Sequence, residues 1–135
     1  MRTKLLVLAV LGVSRLVTPA AAHHSFVVEY DVNRPLKLEG VVTKVEWTNP
    51  HALLSLDAVD RNGVTTAWSF ELASPNVLER NGWTQRTLSA GDRVKLEGYG
   101  GFAIATRGVV SCITMADGRA LAAGPAGVVD DGLAR

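Results

Sequence analysis

The run ALLSLDAVDRNGVTTAWSFEL, Ala52 to Leu72, constrains the fold more than any other part of the chain. Apolar residues recur at every second position through Ala52, Leu54, Leu56 and Ala58, and again through Trp68, Phe70 and Leu72. Successive side chains of a strand point to opposite sides, so each set lines one face. Between the two runs sits Asp60-Arg61-Asn62-Gly63, and Asn-Gly is a strong hairpin signal. The centre of the chain therefore predicts a β-hairpin with one buried face.

The flanks extend this pattern. LKLEGVVTKVEW, Leu36 to Trp47, also alternates, but its phase changes. Leu36 and Leu38 share one face; after Gly40 the apolar set becomes Val41, Val45 and Trp47. A phase slip beside a glycine predicts a bulge in one long, bent strand. Thr48 to Pro50 form a turn, and His51 opens the next strand. After the hairpin, Ser74 suits a helix cap, Pro75 the first helical position, and Asn81-Gly82 a stop. A fourth strand is predicted over Arg93 to Tyr99, ended by Gly100 and Gly101. A fifth covers Gly108 to Met115, with Ala120 to Ala122 as a short return after the Ala116 to Arg119 turn.

The element order is β-β-β-α-β-β. It predicts a mostly all-β domain, a small five-stranded OB-like barrel with one short helix between strands 3 and 4. A small sandwich would use similar strands, and the helix position favours the barrel. The domain is expected over 23–122, with a disordered, Gly-rich tail over 123–135.

Residues 1–22 read as a cleaved signal peptide. Arg2 and Lys4 precede an apolar run from Leu5 to Val13, followed by Pro19 and Ala20-Ala21-Ala22. The apolar run is shorter than the roughly 20 residues that a membrane span needs. This predicts export to a bacterial periplasm with no stable membrane anchor after cleavage. The leader holds Arg2, Lys4 and Arg15 and no acid, which leaves 11 basic against 13 acidic residues and a net charge of −2. Such a surface lacks the basic footprint of a nucleic-acid binder. Cys112 is the one cysteine, so no internal disulfide can form; its apolar setting predicts a small buried hydrophobe.

The chemistry concentrates in three histidines, His23, His24 and His51. Cleavage after Ala22 makes His23 the first residue. Its free α-amine and its imidazole can then chelate one ion, and His24 or His51 can add a third nitrogen. Nitrogen-rich tetragonal sets suit Cu(II). Cleavage after Ala20 would instead place a histidine third, which also wraps Cu(II) through the amine and peptide nitrogens. A structural zinc site wants four ligands, and no cysteine partners exist here. The bland alternatives are a flexible arm at His23-His24 and a backbone contact from His51 that fixes its turn. Trp47, Trp68 and Phe70 fall on core-side positions, Trp83 caps one end of the barrel, and Glu71 is placed to meet a helix end or an arginine. No G-x-S-x-G, H-E-x-x-H, C-x-x-C or phosphate loop is present, so no enzyme is indicated.

The blocks AHHSF, GVVTKVEWTNPHA, WSFELASPNVLERNGW, LSAGDRVKLEG and MADGRAL together resemble a bacterial family of small exported domains of unknown function. The resemblance runs from His23 to Leu121 and implies a compartment and a domain extent, with no activity attached. The stretch GFAIATRGVV departs from the family pattern at its fourth-to-fifth strand connection. The expectation is an exported, non-enzymatic binding module with copper as candidate ligand. The alternative is a metal-independent envelope-interaction or small-solute-binding module.

Overall fold

The computed structural model describes residues 29–125 and residue 128. Its elements in chain order are β1 (Tyr30–Glu46), β2 (Leu53–Val59), β3 (Thr65–Glu71), α1 (Pro75–Arg80), β4 (Arg93–Gly101), β5 (Arg107–Met115) and β6 (Ala120–Ala122). The strands pair in the order β3-β2-β1-β4-β5-β6, and β3 also pairs with β5. That last pairing is parallel, joins Ser69–Glu71 to Arg107–Val109, and closes five strands into a ring. The predicted short return is the sixth strand and lies beside Cys112 to Thr114 of β5.

One long strand serves both halves of the ring. The first part of β1, through Val41, pairs with β4, and the part from Gly40 onward pairs with β2. The two pairings overlap at Gly40 and Val41, which face Ala58 and Asp57 on one side and Val94 and Arg93 on the other. Gly40 points inward, and a Cβ there would collide with the Asp57 carbonyl. The glycine is required by close backbone approach.

This corrects the expected bulge. The inward set of β1 is Leu36, Leu38, Gly40 and Val42, with Val42 1 % exposed, so the phase holds through the glycine. The register shifts between Val42 and Lys44, at Thr43. Only past that point do Val45 and Trp47 pack toward the core, while Val41 stays off it. Another register shift, opposite Glu97 and Gly98, puts Ser111 out of register in β5. It lets Val110 and Ile113 join the core although they lie three residues apart. The Ser111 hydroxyl donates to the Glu97 carbonyl at 3.1 Å, which satisfies a buried polar group.

The core follows the hairpin pattern. Leu54, Leu56, Phe70 and Leu72 are fully buried, with Ala52 and Ala58 beside them. Trp68 is half-buried and stacks on Phe70, ring centroids 5.5 Å apart. Each fully buried Leu or Phe contributes roughly 1.5–3 kcal/mol relative to exposure. Helix α1 sends Leu78 into the core, and Trp83 follows at 3 % exposure, its indole N–H donating to the Ala122 carbonyl at 2.8 Å. Pro75 opens the helix, but the Ser74 side chain makes no capping bond; the Ser74 carbonyl accepts from Val77 and Leu78 instead. Cys112 is buried and forms no disulfide.

Two boundaries differ from expectation. Gly100 and Gly101 extend β4, pairing with Gly108 and Tyr30. The Arg34 side chain lies against Gly100, where a Cβ would meet its Cδ at 2.8 Å. Arg34 then donates to the Gly101 and Ala105 carbonyls at 3.1 and 2.9 Å, fixing the β4–β5 connection. At the other boundary Ala123 is fully buried, its N–H donating to Ser111 and its carbonyl accepting from Ala73. The packed chain thus continues past Ala122. The expected tail from residue 126 onward, residue 128 excepted, lies outside the described residues, as do the expected leader, His23 and His24.

Candidate functional site

The candidate site lies where the start of β1, the turn before β2 and the end of β3 meet. Tyr30 begins β1 and pairs with Gly101 of β4. Glu71 ends β3 opposite Leu53 of β2 and Val109 of β5. Closing the ring brings these strand ends together, and their side chains connect. The Tyr30 hydroxyl donates to Glu71 Oε2 at 2.6 Å. A short O–H···O⁻ bond of this kind is charge-assisted and about twice as strong as a neutral one.

His51 completes the cluster. It follows the Thr48–Pro50 turn, which contains a cis Asn49–Pro50 bond, and stands two residues ahead of β2. The Thr48 hydroxyl donates to the His51 carbonyl at 2.8 Å and closes the turn. The His51 ring reaches across to β3. Its Nδ1 lies 3.1 Å from the Leu72 carbonyl oxygen and 3.3 Å from Glu71 Oε1. The chain Tyr30–Glu71–His51 thus uses both oxygens of one carboxylate. Exposure grades outward along it: the tyrosine is 3 % exposed, the Glu71 side chain 14 %, and the His51 side chain 37 %.

Burial, reinforced by the bond to Glu71, pushes the Tyr30 phenol well above its ordinary value near 10; Arg107 pulls weakly the other way. The phenol therefore stays a proton donor to Glu71. Both Glu71 oxygens face donor groups, so the carboxylate cannot turn freely. An imidazole whose Nδ1–H is donated keeps the Nε2 lone pair for another partner.

Of the three sequence-predicted ligands, His51 lies in this cluster, while His23 and His24 fall outside the described residues. Among the described residues no three His, Cys, Asp or Glu side chains stand together as a metal site. Glu71 was expected to meet a helix end or an arginine; it meets a tyrosine and a histidine, because ring closure rather than the helix sets its neighbours. Tyr30 is absent from the sequence-based candidates. The signal available was a lone carboxylate next to a fully apolar strand end, Glu71-Leu72-Ala73, which demands a buried donor from elsewhere.

The ring of five strands with a side-chain cluster at one end defines a small, mostly β domain. The profile of the Family of unknown function (DUF6152) matches residues 10–110, and the chain belongs to that family. No curated protein and no solved structure matches the chain.

Proposed function

We propose that this is an exported periplasmic binding module, built as an OB-like barrel, whose His51 corner forms half of a copper site. The other half is the mature N-terminus, the α-amine and imidazole of His23, with His24 adjacent. The order of pairing around the ring, and the helix between β3 and β4, support the OB-like reading. The observation that carries the ligand reading is position. Tyr30, the first residue of β1, bonds to Glu71, and Glu71 lies against His51. His23 is seven residues ahead of Tyr30. A chain of that length reaches up to ~25 Å at ~3.5 Å per residue, ample for an N-terminal chelate to share an ion with His51.

The test is a Cu(II) titration of protein processed to begin at His23, beside the same protein carrying His51→Ala. The reading expects at least a tenfold weaker complex in the variant. Equal affinity would remove His51 from the site. A copy retaining an initiator methionine should also bind more weakly, since the α-amine is moved away from the His23 ring.

A metal-independent interaction role is the second reading. Phe102 and Ile104 favour it, because they stand 61 % and 51 % exposed on the β4–β5 connection that Arg34 holds in place. Binding of no metal by the processed protein would leave this reading in possession of the site.

A further inference from the structure

We infer that Glu71 is the positioning residue of this corner: it biases His51 to the Nδ1–H tautomer and so makes Nε2 the nitrogen offered to an ion. The inference rests on His51 being the folded domain's ligand, yet its first test needs no metal. Two oxygen acceptors face Nδ1, the Leu72 carbonyl at 3.1 Å and Glu71 Oε1 at 3.3 Å. A carbonyl and a carboxylate can only accept, so a neutral ring satisfies them by carrying its proton on Nδ1. An unconstrained imidazole prefers its proton on Nε2, so the corner holds the less common form.

Glu71 supplies what the carbonyl alone lacks, a full negative charge beside Nδ1 in a largely desolvated position. Tyr30 anchors that charge through the second oxygen, and the anchor comes from a different strand, so the carboxylate is fixed from both sides. Metal-bound histidines commonly donate their other ring N–H to a carboxylate or carbonyl, which orients the ring and raises its basicity. The ion class follows: a first-row divalent ion that takes a neutral imidazole nitrogen, with Cu(II) the tightest binder of that series.

The experiment records long-range ¹H–¹⁵N spectra of the His51 ring in the metal-free processed protein, in wild type, Glu71→Gln and Tyr30→Phe. Wild type is expected to show an unprotonated Nε2. Glu71→Gln is expected to shift population toward the Nε2–H form, with Tyr30→Phe between the two. Backbone amide spectra confirm that each variant is folded. A Cu(II) titration of Glu71→Gln is then expected to show about 10–100-fold weaker binding, the usual cost of losing an outer-shell partner. An Nε2–H ring in wild type would overturn the inference, and so would a tautomer unchanged by Glu71→Gln. The expected tautomers together with no copper binding in wild type would uphold the role of Glu71 and overturn the copper reading instead.

Discussion

Replacing Tyr30 with phenylalanine removes one hydroxyl and nothing else from the cluster, which makes its cost calculable. The hydroxyl bonds a carboxylate oxygen at 2.6 Å, and Tyr30 as a whole residue is 3 % exposed. Hydrogen bonds to charged groups contribute about 1.5–3 kcal/mol. The Glu71 side chain keeps 14 % exposure, so water replaces part of the loss. The variant should therefore lose about 2 kcal/mol, or roughly 8–16 °C in Tm for a domain of about this size.

The same bond carries a pH signature. Below the ordinary phenol value both the folded and unfolded states hold the proton, and the contribution is complete. Above it the unfolded chain releases the proton while the folded chain retains it, so stability falls as pH rises. Tyr30→Phe lacks this loss. Urea unfolding of both proteins from neutral pH into the alkaline range should show a gap that narrows above about pH 10. A variant as stable as wild type at neutral pH, or a gap constant into the alkaline range, would refute the buried Tyr30–Glu71 bond.

Other substitutions probe the frame around the site. Gly40→Ala forces a methyl group into the Asp57 carbonyl and should cost about 1–3 kcal/mol or more in chemical unfolding, despite the small change in side chain. Trp83→Phe leaves the Ala122 carbonyl without its indole donor and should cost about 1–3 kcal/mol in the same assay. Arg34→Ala removes both bonds to the β4–β5 connection; hydrogen exchange should quicken at the Arg107 amide, which donates to the Ile104 carbonyl, while core amides stay protected.

Strand β2 was legible because its inward positions are all apolar and lie in one uninterrupted phase, Ala52 to Ala58. Strand β1 was misread at its centre for a physical reason. Its inward residue there is a glycine, which displays no side chain, and it is followed by two valines of which either could point inward. Only the approach of β2 decides between them. Gly100 and Gly101 looked like breakers because glycine weakens an isolated strand; the Arg34 side chain that occupies the space comes from 66 residues earlier. The site was half visible. His51 stood out by rarity, but its partners did not. The Tyr30–Glu71 bond spans 41 residues and depends on β3 meeting β5, a closure that no local pattern encodes.

Pulsed EPR of Cu(II) bound to protein that begins at His23 tests the central claim most directly, since it detects the remote nitrogen of each coordinated imidazole. The account predicts that His51→Ala reduces that remote-nitrogen signal while the signal from the N-terminal imidazole persists. An identical spectrum in wild type and variant would place the ion on the N-terminal arm alone and contradict a shared site with the folded domain.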